Sequence, residues 1–243
     1  MILLFILFAS LFFLSIGSFL NVIAYRLVHP HTLFIKRSFC PHCHHFIAWY
    51  DLIPIASWIV LKGKCRRCKH TISPLYPFIE IITLISFWLL VLTQPTYYWF
   101  AYSIAIAALI ITIRTDLETL LISRLVTLFL IPLLWLFIAL NLLPITLTQS
   151  VQGMLLGGGF LWLIGLMYQL FTGKQGLGQG DIDLLAFIGS LLGPLKCWMA
   201  LLIGSVTGSL LGIAILLICR NSWNRVIPFG PFLALGALTV LFY

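Results

Sequence analysis

Apolar residues run along this chain in long, nearly unbroken blocks, without the alternation of a half-buried strand or the stripe of a surface helix. A helix needs about 20 apolar residues to cross the hydrocarbon core of a bilayer. The first block, Met1 to Tyr25, carries no charge before Arg26. A secretory signal peptide would place basic residues ahead of its apolar run and a small-residue cleavage site behind it, so this block reads as a retained first helix. Further apolar stretches at 77–93, 97–113, 125–142, 152–172, 182–195, 198–219 and 227–243 predict a total of about eight helices. The sixth is too short to span comfortably unless its ends sit in a polar cavity. One polar segment interrupts the pattern, which predicts a first transmembrane helix at 1–25, a loop at 26–76 and a helical bundle at 77–243.

Composition narrows the class. Hydrophobic residues make up 62% of the 243 positions and charged residues only 8%, against about 25% charged in soluble domains. The mean hydropathy is +1.13. Too few ionic groups exist to coat a water-soluble globule, and disordered, collagen-like and coiled-coil readings fail on the same numbers. The expected fold is all-α, a polytopic membrane protein.

Charge then orients it. Cytoplasmic segments of membrane proteins are enriched in Lys and Arg. With the N-terminus outside, thirteen of the 14 basic residues fall on inner segments and only Lys196 falls outside. Both termini are therefore expected outside and the 26–76 loop in the cytoplasm. The net charge of +8 follows from topology, so the expected partner is the lipid bilayer and not nucleic acid. Small residues four apart, at Gly153/Gly157, Gly189/Gly193 and Gly204/Gly208/Gly212, suit close helix contacts in lipid. No feature of the sequence encodes an oligomeric state.

Four of the six cysteines sit in the loop as Cys40-Pro-His-Cys43 and Cys65-Arg-Arg-Cys68. Two CxxC knuckles at this separation suit a tetrahedral four-thiolate zinc site. The loop is too small for a core of its own, so a metal cross-link would supply much of its folding free energy. Disulfides are disfavoured in a reducing cytoplasm. Nearby His42, His44, His45 and His70 read as solvated loop residues, and Cys197 and Cys219 as packing residues. Four protein ligands leave no open position for water, which makes this metal structural rather than catalytic.

The chain holds only six acids: Asp51, Glu80, Asp116, Glu118, Asp181 and Asp183. Ionisable groups at membrane depth are costly and mark functional sites by default. Asp116 closes the third apolar stretch and Asp181, in Gly178-Gln-Gly180-Asp181, opens the sixth. Both fall near one membrane face. Two facing carboxyls that share a proton can run hydrolysis, the ionised one activating water and the protonated one polarising a carbonyl. Gly178 and Gly180 would supply supporting backbone through unusual angles and close approach. The competing reading pairs these acids with Arg114 and Lys174 at helix ends. Asp51 and Glu80 read as surface or loop-anchoring groups.

The combination resembles the prepilin peptidases, bacterial inner-membrane aspartic proteases of the Gly-x-Gly-Asp type. The resemblance rests on Gly17-Ser-Phe-Leu-Asn21-Val-Ile-Ala-Tyr-Arg26, both CxxC pairs framing Trp49-Tyr-Asp-Leu-Ile-Pro54, Ile72-Ser-Pro-Leu-Tyr-Pro77 with Glu80, Gly178-Gln-Gly-Asp181, and Pro228-Phe-Gly-Pro-Phe232. It implies cleavage of type IV prepilin and pseudopilin leaders after a glycine, at the cytoplasmic face, in pilus biogenesis and type II secretion. It also implies N-methylation of the new N-terminus with S-adenosylmethionine. The family's two catalytic aspartates map onto Asp116 and Asp181, and its metal ligands onto Cys40, Cys43, Cys65 and Cys68. This chain departs from the family pattern at Ser123-Arg124, where a Pro-Asp pair is usual, at Asp183, where lysine is usual, and at Glu118, where aspartate is common. Two other readings stay open: an altered family member acting as a binding or assembly partner, and a membrane transporter with the acids as an ion path.

Overall fold

The computed structural model of the chain describes residues 1–32, 37–174, 176–218 and 228–243. Lys36, Cys219, Arg220 and Arg225, which enter the charge and packing arguments above, lie outside the described residues. Each apolar stretch contains a helix, and the chain divides into two units, Met1–Leu92 and Thr93–Tyr243.

The first unit contains α1 (Ile2–Val28), the loop with its single short helix α2 (Ala56–Val60), and α3 (Leu75–Thr93). Helices α1 and α3 run antiparallel. Trp88 Nε1 donates to Ser10 Oγ at 3.0 Å near one end, and Asn21 Nδ2 donates to the Tyr76 carbonyl at 3.1 Å near the other. Midway, a Cβ on Gly17 would lie 2.8 Å from the Glu80 Cα, so only glycine permits this approach. The loop is tied to this pair by Glu80, whose carboxylate accepts the Ile55 N–H at 2.8 Å. Ile55 has φ +60°, a conformation that costs a β-branched residue roughly 1–3 kcal/mol, and the bond from buried Glu80 holds it. Glu80 is thus a loop-anchoring group, as its position in the sequence suggested.

The second unit comprises α4 (Trp99–Thr119), α5 (Ile131–Ala139), α6 (Leu147–Thr172), α7 (Gln179–Leu192), α8 (Pro194–Ile218) and α9 (Gly230–Phe242). Helix α7 is central: every residue from Asp183 to Leu192 is buried. Its 14 residues extend about 21 Å, short of the roughly 30 Å of hydrocarbon. Surrounding helices rather than lipid cover it, so the bilayer does not dictate its length. It ends at Gly193, where φ is +79°, ahead of Pro194. Helices α6 and α7 touch backbone to backbone, since a Cβ on Gly153 or Gly189 would collide with the carbonyl oxygen of the other. Ser150 Oγ donates to the Ser190 carbonyl at 2.7 Å, and Trp135 Nε1 donates to Ser150 at 3.1 Å, which joins α5 to the same pair.

Among the described residues, five helices are long and apolar enough to cross a membrane: Ile2–Val28, Leu75–Thr93, Thr96–Thr119, Leu147–Thr172 and Pro194–Ile215. Large apolar side chains such as Phe5, Leu92, Leu163 and Leu210 are exposed on their surfaces, as lipid contact requires. The chain is an all-α, multi-pass membrane protein. The expectation of about eight transmembrane helices is met only in part: α5 and α9 are shorter than the apolar stretches that contain them, and α7 is as short as the sixth stretch was expected to be. Pro132 and Pro231 stand at the first turns of α5 and α9, where proline starts a helix but cannot sit inside one.

The glycine contacts yield a paired test. Gly153→Ala should destabilise the protein in detergent by about 1–3 kcal/mol through overpacking. Gly159→Ala, where a Cβ meets nothing within 4 Å, should leave the melting temperature unchanged or slightly raised. Equal melting temperatures for the two variants would contradict the α6–α7 contact.

Candidate active site and metal centre

Asp116 sits one turn from the end of α4 and is only 5% exposed. The helix stops just beyond it, at Leu120, a left-handed residue whose N–H bonds the Asp116 carbonyl at 3.0 Å. Gly230, opening α9, lies against the Asp116 carboxylate. A Cβ on Gly230 would lie 2.7 Å from Asp116 Oδ2, so a larger residue would block this approach. Asp116 Oδ2 is buried and has no hydrogen-bond partner among the described residues.

Asp181 lies in the first turn of α7, its N–H bonded to the Gly178 carbonyl at 3.2 Å. It is within electrostatic range of Asp116, although 65 positions separate the two acids in sequence. Ile122, from the segment after α4, fills the space between their supports. A Cβ on Gly180 would lie 2.8 Å from the Ile122 Cβ, and one on Gly230 would lie 2.9 Å from its Cδ1. The unusual backbone angles expected of Gly178 and Gly180 are absent: Gly178 has φ −68°, and neither is among the positive-φ glycines. Gly180 provides space instead.

The neighbouring charges are paired elsewhere. Arg114 Nη1 donates to Glu118 at 2.6 Å, four residues along α4, and so does not neutralise Asp116 in the way the helix-end reading required. Asp183 is buried and accepts from Arg124 Nε at 3.0 Å and from Gln179 Nε2 at 3.3 Å. The two departures at Arg124 and Asp183 therefore form one ion pair, with the usual acid and cation exchanged in position. Nothing in their spacing shows that they touch, and sequence reasoning did not foresee this direct contact. It also missed Ile122, an unremarkable apolar residue, and gave Gly230 no role beyond its place in a motif.

In the first unit the four loop thiols converge. The Sγ atoms of Cys40, Cys43, Cys65 and Cys68 all lie within 4.8 Å of one another, and Cys40 and Cys68 are 3.9 Å apart. A tetrahedron with bonds of about 2.3 Å has edges of about 3.8 Å, so the cluster fits a metal ion. No histidine joins it; His42 and His70 stack on each other with ring centroids 4.1 Å apart. Both knuckles repeat one backbone pattern. The Cys40 N–H bonds the His45 carbonyl and the Cys65 N–H that of His70, and His44 and Lys69 have left-handed φ of +54° and +60°. Backbone N–H groups, that of Cys68 foremost, lower the Cys65 thiol to about 7, which favours the thiolate a metal needs. Asp51 is held below the usual carboxylate range by Arg66, which donates to both its oxygens at 2.8 and 2.7 Å.

Residues 11–94 match the model of the bacterial peptidase A24 N-terminal domain, and residues 103–213 match that of the type IV leader peptidase family. A prepilin leader peptidase/N-methyltransferase of Aeromonas hydrophila is 34% identical, the match covering 96% of this chain and 89% of that one. Proteins of the same name from Burkholderia pseudomallei (strain 1026b) and Legionella pneumophila are 32% and 33% identical, over 97% and 96% of this chain and 84% and 90% of theirs. No solved structure matches the chain.

Thiolate ligation makes a direct prediction. The purified protein and His42→Ala should carry about one metal ion per chain by elemental analysis, and Cys65→Ser close to none. Full metal content in Cys65→Ser, or its loss in His42→Ala, would contradict the four-cysteine assignment.

Proposed function

The chain belongs to the type IV leader peptidase family, and on that premise we propose that Asp116 and Asp181 carry out its peptide hydrolysis. The protein is a membrane endopeptidase whose substrates are prepilins and pseudopilins, cleaved after the leader glycine. The observation that carries the assignment is the state of Asp116: a buried carboxylate oxygen without a partner, within electrostatic range of a second acid. Buried polar atoms are otherwise nearly always satisfied, so this oxygen is an acceptor reserved for water, a shared proton or the substrate.

Repulsion between two close carboxylates favours one proton between them. The ionised acid takes a proton from water as the water oxygen bonds to the scissile carbonyl carbon. The protonated acid meanwhile donates a hydrogen bond to the carbonyl oxygen. When the tetrahedral species collapses, the C–N bond breaks and the departing nitrogen takes the proton the base acquired. No acyl-enzyme forms. Gly230 packs its backbone directly against the Asp116 carboxylate, and the missing side chains at Gly180 and Gly230 let the backbone close on the pair.

The excess of Lys and Arg on one set of segments supports a reading in which both acids and the cysteine loop lie at the cytoplasmic face, and the family resemblance supports a bacterial inner membrane. The four thiolates hold zinc, which cross-links the loop and, being fully ligated by protein, stays out of the hydrolysis. The methyl donor for N-methylation is S-adenosylmethionine. No glycine-rich nucleotide fingerprint marks its place, and no methylation step follows from the residues described.

Asp116→Asn and Asp181→Asn keep side-chain shape and remove the acid. Each should slow cleavage of a purified prepilin by roughly 10²–10⁴-fold, read as loss of the leader mass. Cleavage at the parental rate by either variant would overturn the assignment. Transfer of labelled methyl groups to the product, measured alongside, reports the second activity separately.

A further inference from the structure

We infer that Arg124 is a positioning residue for the hydrolytic reaction: through Asp183 it fixes the first turn of α7 and so holds Asp181 against Asp116. The inference rests on the Asp116–Asp181 reading and extends it to a residue outside the pair.

The segment after α4 leaves the very end of the helix that carries Asp116. It grips α7 at two points that bracket Asp181. Ile122 abuts Gly180, where a Cβ would lie 2.8 Å from its own Cβ. Arg124 Nε donates to Asp183 Oδ2 at 3.0 Å, while Gln179 Nε2, one helical turn earlier, donates to Oδ1 at 3.3 Å. Both oxygens of Asp183 are thereby satisfied. Its side chain is only 6% exposed, whereas that of Arg124 is 60% exposed.

This asymmetry gives the pair its purpose. An exposed ion pair contributes little, but Asp183 cannot be left as a buried anion without a counter-charge. Arg124 reaches in from solvent to meet it, on a backbone that is itself fixed. Its carbonyl accepts the Phe129 N–H at 3.1 Å, the Val126 N–H bonds the Ser123 carbonyl at 3.0 Å, and Thr127 is fully buried. Without the guanidinium, Asp183 gains by turning toward water, which drags the start of α7 and carries Asp181 off its mark. Asp183 stands two residues from Asp181 and points away from it, so its pair acts on the reaction only through the helix.

A double-mutant cycle tests this on the full-length protein in detergent, with kcat and KM for a prepilin substrate and melting temperature read together. Arg124→Ala should lower kcat by about 10²-fold, the cost of an ångström-scale misplacement, with KM changed less than about threefold. Arg124→Lys, which retains a cation, should recover most of the loss. Arg124→Ala combined with Asp183→Asn, which removes the buried charge, should be more active than Arg124→Ala alone. If Arg124→Ala does not fold, Arg124→Gln, of closer length, takes its place in the same cycle. Parental kcat in the folded single variant would overturn the inference, as would losses that multiply in the double variant or a fall in kcat that only tracks the melting temperature. Cleavage by Asp181→Asn would instead remove the hydrolytic pair itself, so the two failures are distinguishable.

Discussion

A carboxylate taken out of water must find donors, a counter-charge or a proton, and that requirement organises this molecule. Three of its acids, Glu80, Asp116 and Asp183, are buried. Glu80 accepts the Ile55 N–H and anchors the loop. Asp183 accepts from Arg124 and Gln179 and secures α7. Asp116 alone keeps a buried oxygen without a partner among the described residues, and it is the acid that faces another acid. The anchoring carboxylates are satisfied, and the one left wanting is the one we propose for the chemistry. Helix α7, too short to span lipid, is covered instead by its neighbours from Asp183 to Leu192.

Helix order was readable from hydropathy because lipid imposes one demand, about 20 apolar residues, on every exposed span. The reading weakened where protein replaces lipid as the surroundings. Helices α5 and α9 answer to packing and to proline placement, so stretch lengths overstated them, whereas the shortness of α7 was already legible. One boundary was legible and passed over: Thr146-Leu-Thr-Gln149 is a capping box, with Thr146 Oγ1 accepting the Gln149 N–H, and it starts α6 five residues before the apolar run at 152. Small residues four apart did mark helix contacts at Gly153, Gly189 and Gly204. Gly193 fitted the same spacing but ends α7 with a positive φ.

The candidate site was legible in its acids and its cysteines, since few residue types can ligate a metal or exchange a proton. What surrounds them was not. Arg124 and Asp183 read as departures of opposite charge, and only the fold shows their side chains in direct contact. Ile122 and the Gly230 backbone contribute shape rather than chemistry, and a single sequence carries no mark for shape. The two CxxC knuckles, by contrast, encode their geometry locally. A left-handed residue four positions past the first cysteine of each, His44 and Lys69, recurs because each knuckle must turn its backbone N–H groups toward sulfur.

The central claim is spatial: Asp116 and Asp181 face one another in the folded protein. Oxidative cross-linking of Asp116→Cys with Asp181→Cys in native membranes, read by mass spectrometry of the joined peptides, tests it most directly. Ser150→Cys with Ser190→Cys serves as the reference, because those hydroxyls lie 2.9 Å apart. The account predicts a disulfide between positions 116 and 181 at a yield comparable with the reference pair. A reference pair that joins while 116 and 181 stay apart would contradict it.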